Sequence, residues 1–175
     1  MARTIVLGVT GSIAAYKACE LVRLFVKNGD DVRVVMTPAA TEFVRPLTFQ
    51  TLSRNQVFVD QFAPPAEWKP EHVELSDCDV AVVAPATANT IAKMRYGIAD
   101  NLLTATLLAT RAPVVVAPAM NNGMWEAAAT QENIAALKAR GAKIVEPGDG
   151  ELACGVSGKG RMPDPEAVFE AATSL

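Results

Sequence analysis

His72, in "EHVELSDCD", is the only imidazole in the 175-residue sequence. It is the one side chain whose unperturbed pKa suits it to exchange protons near neutrality, so it leads the candidates for acid or base catalysis. A solvated or packing histidine fits the same spacing. Cys154 lies in "GELACGVSGKGRM", where glycines surround it and Lys159 and Arg161 follow, a setting that favours an accessible thiol of lowered pKa. Cys19 falls at a helical core position and Cys78 just before a strand, so both read as small hydrophobes. Three cysteines without CxxC spacing, beside one histidine, argue against a disulfide framework or a structural zinc site. In "PVVVAPAMNNGMW", a β-branched run ends at Pro118, and Met120, Asn121, Asn122, Met124 and Trp125 follow with no charge among them. Met120, Met124 and Trp125 can simply plug the end of a core, a reading that leaves Asn121-Asn122 unexplained.

A further candidate is the loop "GVTGSIAAYK". Its glycines, the hydroxyl of Ser12 and the amides that open a helix make an anion cradle around Gly11. The spacing is neither G-x-G-x-x-G nor Walker A. The second strand ends in Met36-Thr37 instead of the acidic residue that a dinucleotide ribose requires. Amides, Ser12 and Thr37 therefore suit the phosphate of a mononucleotide. A tight strand-to-helix turn that binds nothing is the alternative on the loop alone.

The elements that must carry these residues alternate along the chain. "TIVLGV", "DVRVVM", "DVAVVAP", "APVVVAP" and "AKIVEP" read as buried strands. Between them lie a helix from Ser12 as N-cap to Gly29 as its stop, short helices at "AATEFV" and "PLTFQTLS", and a small strand at "QVFVD". "APPAEWKP" reads as a surface loop. Further helices are a long stretch to Ala109 interrupted near Gly97, "TQENIAALKAR", and "DPEAVFEAAT" with Asp164 as N-cap and Pro165 first. This order predicts an α/β fold: one domain with a doubly wound, Rossmann-like parallel sheet. "VVAPATANT" and "VVVAPAMNN" echo each other one strand-helix unit apart, which places Asn89 and Asn121 at neighbouring carboxyl ends, the ligand-binding edge of such sheets.

Composition narrows the partners. Half the residues are hydrophobic, 6% are aromatic, and the net charge is −3 with a pI near 5.2. No basic patch offers a hold on nucleic acid or an anionic membrane. The apolar runs are too short to span a bilayer and the N-terminus lacks a signal-peptide pattern, so a cytoplasmic protein is expected.

"GSIAAYK", "PATANT", "PAMNNGMW", the histidine of "EHVEL" and the "ACGxxGxGRM" loop together resemble the homo-oligomeric flavin-containing cysteine decarboxylases, from about Thr4 to Pro163. Within that family the sequence is most similar to the branch that acts on 4′-phosphopantothenoyl-L-cysteine in coenzyme A synthesis. The resemblance implies a flavodoxin-like fold and FMN as cofactor. Gly11, Ser12, Thr37, Thr87, Ala88 and Asn89 are the implied cofactor contacts; Thr87 replaces a serine of the family's PASANT segment. Pro118, Met120, Asn121, Met124 and Trp125 match the family's P-x-M-N-x-x-M-W motif. Asn121 then binds the substrate's cysteine carboxylate, beside Met120, Met124, Ala153 and Cys154, and the cysteine loop matches a mobile flap.

The implied reaction is oxidation at the flavin to a thioaldehyde, loss of carbon dioxide, and re-reduction of the enethiol to 4′-phosphopantetheine. His72 is the base of the oxidative half and Cys154 the proton donor of the reductive half. Glu71, beside the histidine, departs from the family pattern. The resemblance also implies a homotrimer with FMN between subunits, or a dodecamer of such trimers, and a fused or separate phosphopantothenoylcysteine synthetase. Three alternatives stay open. A peptidyl-cysteine oxidative decarboxylase stops at the enethiol and needs no Cys154. A flavin prenyltransferase of similar fold lacks the His72 and P-x-M-N-x-x-M-W combination. A non-enzymatic phosphatase-regulatory flavoprotein commonly carries acidic extensions or has lost a catalytic residue.

Overall fold

The structure of the protein, a computed structural model, describes residues 2–62, 70–151, 155 and 157–175. Strand β1 (Thr4–Val9) leads into α1 (Ala15–Lys27), and β2 (Asp31–Met36) into a 3-10 turn at Pro38–Glu42 and α2 (Pro46–Ser53). The two-residue strand β3 (Val57–Phe58) and α3 (Glu71–Ser76) follow. Next come β4 (Val80–Ala86), α4 (Ala88–Tyr96), α5 (Leu102–Ala109), β5 (Val114–Pro118), α6 (Asn122–Glu126), α7 (Ala128–Ala139) and β6 (Lys143–Ile144). A hairpin of β7 (Gly148–Glu151) and β8 (Ser157–Arg161) precedes α8 (Pro165–Thr173).

The first six strands form one parallel sheet in the order β3-β2-β1-β4-β5-β6. Both faces are covered, which is why the strands read as unbroken apolar runs. Ile5, Leu7, Val34, Val82 and Val115 share one core with Phe25 of α1 and Val168 of α8. On the other face, Val6 and Val35 pack with Leu75 of α3 and with Leu102 and Leu103 of α5, while Val83 and Val116 pack with Ile91, Ile134 and Leu137.

The doubly wound sheet agrees with the sequence pattern, and several boundaries differ from it. Helix α1 begins at Ala15, not just after Ser12; the Ser12 Oγ instead accepts the Ala14 N–H at 3.2 Å, so the hydroxyl stabilises the entry turn. Gly29 does stop that helix, at a φ of +88°. "AATEFV" forms part of the 3-10 turn, and "AKIVEP" supplies a strand only two residues long. Gly97 ends α4 in the left-handed region, as expected of a break there. The expected surface loop at residues 63–70 lies almost wholly outside the described residues.

Candidate functional site

The strand order reverses between β1 and β4, so the ligand crevice of this sheet opens at their carboxyl ends. The two strands pair from Ile5↔Val80 to Gly8↔Val83. Beyond that pairing the buried Thr10 hydroxyl spans the gap, donating to the Pro85 carbonyl at 2.6 Å and accepting the Thr87 N–H at 3.0 Å. Gly11 lies on the loop that follows. A side chain there would meet Ala39 Cβ at 2.6 Å, so the close approach of the 3-10 turn after β2 requires a glycine.

Thr37 sits at the tip of β2 and is 8% exposed. Its Oγ1 is the buried side-chain polar atom left without a hydrogen-bond partner among the described residues, although the residue holds the N-cap position of the 3-10 turn. A buried hydroxyl without a partner costs about 1–3 kcal/mol, so an arriving acceptor or donor is favoured there. Thr87 is the N-cap of α4 and its Oγ1 is within hydrogen-bond reach of both the Thr90 N–H and the Thr90 hydroxyl. With the Thr87 amide already given to Thr10, the N–H groups that the helix start leaves without intrahelical partners include those of Ala88 and Asn89. The expected cofactor residues thus gather at the adjacent tips of β1, β2 and β4, with Thr87 organising the end of α4.

At the tip of β5, Asn121 caps α6, its Oδ1 accepting the Gly123 N–H at 2.9 Å. Trp125 is 5% exposed and belongs to the core with Val83, Ala86 and Ile134, whereas Met124 is exposed. Met120 packs against the same core. Strand β8 docks on this segment: the Met120 N–H donates to the Gly160 carbonyl at 3.0 Å, and Lys159 Nζ stands 5.7 Å from the centre of the Trp125 ring. Gly160 has a φ of +151°, and a Cβ on it would collide with the Met120 carbonyl oxygen. Glu146 pairs with both Lys138 and Lys159, and these partners, Lys138 first, hold its carboxyl below the usual carboxylate range against opposing desolvation. Lys17 of α1 donates to the Met162 carbonyl at 3.2 Å, tying down the segment after β8. What read as a glycine-rich loop is therefore a hairpin anchored at the Asn121 segment. Ala153 and Cys154 fall in sequence between its strands and lie outside the described residues.

His72 is half-buried on the first turn of α3, which packs against α5. The single chain does not bring its imidazole into hydrogen-bond contact with the other described site residues. The adjacent Glu71 carboxyl is raised above its ordinary range, first by burial and then by Glu74 and Asp60. Burial also pushes the Cys19 and Cys78 thiols up, which keeps both protonated, as suits small apolar side chains.

Sequence reasoning missed Thr10 and the hairpin's anchors. A threonine immediately after a buried β-branched strand was a signal for the first. The second depends on a pairing across some forty residues, which no local pattern reveals. A groove of about 480 Å³ lies at the opposite edge of the sheet, against Met94, Leu107, Leu108 and Leu137. It contains none of the expected site residues, which gather at the strand tips instead.

The family model described as Flavoprotein matches residues 1–175. The coenzyme A biosynthesis bifunctional protein CoaBC of Haemophilus influenzae is 48% identical over 168 residues, which is 95% of this chain and 42% of that protein. The chain thus spans about two fifths of the length of that relative. Among solved structures, a cysteine-to-serine variant of PPC decarboxylase in complex with pantothenoylaminoethenethiol superimposes with a TM-score of 0.90 at 30% identity, covering 99% of this chain and 98% of the other. The FMN-dependent cysteine decarboxylase SpaF gives 0.82 at 32% identity, covering 98% of each.

Proposed function

The chain belongs to the Flavoprotein family, and from that premise we propose that residues 1–175 form an FMN-dependent decarboxylase domain. Its substrate is 4′-phosphopantothenoyl-L-cysteine and its product 4′-phosphopantetheine, in coenzyme A biosynthesis. The observation that carries this reading is the 0.90 TM-score to PPC decarboxylase, spanning 99% of the chain, in a complex whose ligand is a decarboxylated, still oxidised pantothenoylcysteine. The CoaBC relatives support the same pathway.

The crevice residues fit a flavin mononucleotide. The unpartnered Thr37 hydroxyl, the Gly11-Ser12 loop and the start of α4 at Ala88 and Asn89 supply hydroxyls and amides and no competing carboxylate. When bound, FMN supplies a reversible two-electron oxidation of the thiol-bearing carbon, which creates the electron sink that a simple cysteine carboxylate lacks. The protein's own groups do the rest. His72 accepts a proton from the substrate in the oxidative half. Asn121 holds the departing carboxylate by its amide donor, its Oδ1 being committed to Gly123; a neutral amide orients that group without the strong ion pair that would stabilise the ground state. Trp125 and Met120 keep the β5 tip apolar. Cys154, which falls in sequence between β7 and β8, returns a proton in the reductive half.

Ile13 and Tyr16 on the approach to and first turn of α1, and Phe43 and Leu47 around the start of α2, are all exposed, on the segments that follow the tips of β1 and β2. Such an apolar rim suits an interface between copies, so a homotrimer, alone or within a dodecamer, is the assembly we assign. In it His72 acts at a site completed by a neighbouring copy, in keeping with its lack of hydrogen-bond contact with the other described site residues here. A phosphopantothenoylcysteine synthetase, fused or separate, supplies the substrate. No described helix is long and apolar enough to cross a membrane, and we place the activity in the cytoplasm.

Similarity to SpaF keeps one second reading in view, a decarboxylase of peptidyl cysteine that stops at the enethiol. Mass spectrometry on the purified yellow protein separates the two. Turnover of 4′-phosphopantothenoyl-L-cysteine with loss of carbon dioxide alone is expected; loss of two further hydrogens points to the peptide-type reaction. A protein that cannot be loaded with FMN overturns both.

A further inference from the structure

We infer that Thr10 is a positioning residue of the cofactor crevice, setting the α4 amino terminus against the β1 loop through its side-chain hydroxyl. The inference rests on the FMN reading and deepens it. Nothing in the sequence motifs assigns Thr10 a role, yet it is 1% exposed and makes two hydrogen bonds to residues 75 and 77 positions away.

The argument starts from a break in the sheet. Pairing between β1 and β4 is regular as far as Gly8↔Val83, and the register between β4 and β5 shifts between Val83 and Ala86. The tip of β4 therefore leaves its ladder where the crevice opens. Its backbone groups still need partners, because Pro85 and Ala86 are buried. On the β5 side, the Ala86 carbonyl accepts the Ala119 N–H at 3.0 Å. On the β1 side, the two groups that need a partner are a carbonyl, at Pro85, and an N–H, at Thr87. A hydroxyl both donates and accepts, and Thr10 Oγ1 satisfies both, at 2.6 and 3.0 Å. One atom thus replaces the two ladder bonds that the diverging strands cannot make.

The consequence reaches the ligand. Thr87 is the N-cap of α4, so fixing its amide fixes the direction in which the first free amides of that helix point. The next residue after Thr10 is Gly11, and the Ser12 N–H in turn donates to the Thr10 carbonyl at 2.8 Å. Thr10 is therefore shared by both halves of the anion cradle, its main chain shaping one and its side chain holding the other. Valine has the same shape and can occupy the space, but it leaves a buried carbonyl and a buried N–H unpaired, which the crevice can relieve only by letting the α4 start move.

The test compares Thr10→Ser, Thr10→Cys and Thr10→Val in the full chain, below their melting temperatures. The readouts are FMN dissociation by flavin fluorescence and the visible circular dichroism of the bound flavin, which reports its fixed surroundings. Serine keeps both hydrogen bonds and is expected within about twofold of the parent protein. Cysteine donates weakly and falls between, and valine is expected to weaken FMN binding at least tenfold with an altered dichroic band. If valine fails to fold, the order of parent, serine and cysteine still decides. Unchanged FMN affinity and dichroism across the set, with only the melting temperature lowered, overturns the inference while leaving the cofactor assignment standing. A parent protein that takes up no FMN overturns the cofactor assignment, and the inference with it.

Discussion

The proposed chemistry divides between two residues whose losses should look different. His72→Asn keeps the approximate shape of the imidazole and removes its proton acceptor. Decarboxylation is expected to fall by about 10²–10⁴-fold, the usual contribution of a positioned acid or base, while FMN stays bound. Stopped-flow absorbance should then show no bleaching of the flavin on adding substrate. Cys154→Ser should let the flavin reduce and carbon dioxide leave but block the return of the electrons, so the enethiol accumulates, as mass spectrometry would reveal. A Cys154→Ser variant that still makes 4′-phosphopantetheine at the parent rate removes the thiol from the mechanism. Neither role could have been settled by residue type alone. His72 lies on the first turn of α3, and only the family resemblance connected it to Asn121.

At the level of elements, the β7–β8 hairpin is the piece that local sequence hid. Its glycines suggested loop, yet Gly158 and Gly160 are there because the strand runs hard against Asn122 and Met120. Gly160→Ala should cost about 1–3 kcal/mol, since the residue combines a positive φ with a Cβ position on top of the Met120 carbonyl. The larger loss should be in turnover, as the hairpin detaches from the Asn121 segment; a variant with full activity and parental melting temperature would show that the docking is dispensable. Glu146 adds a pH dependence. Its folded-state pKa lies below the unfolded value, so its contribution is present above the ordinary carboxylate pKa and is lost as pH falls through the depressed one. Glu146, Lys138 and Lys159 are all about half-exposed and solvent screens their pairing, so the effect on global stability is small. Protease nicking of the hairpin should nevertheless accelerate as pH falls below the ordinary carboxylate range, and Glu146→Gln should show that faster nicking already at neutral pH.

For the whole molecule, the doubly wound sheet was legible because buried parallel strands are continuous apolar runs and each is followed by a helix-period segment. Strand tips at Thr37, Asn89 and Asn121 were legible for the same reason. The short pieces were not: β6 is two residues, α6 is five, and their existence depends on what lies across from them. That the Thr37 hydroxyl is left unmet lies beyond such pattern reading, since it is visible only once the fold has closed around it. Thr37→Val should raise the melting temperature of the FMN-free protein and shrink the increase that FMN produces, because it deletes the unmet hydroxyl and the contact that would meet it. A parental response to FMN in that variant would remove Thr37 from the cofactor's partners. The expected consequence reaches beyond catalysis. Newly made chains that have not found their pigment carry a built-in weakness, so a cell short of riboflavin would clear them first and its enzyme level would follow its vitamin supply.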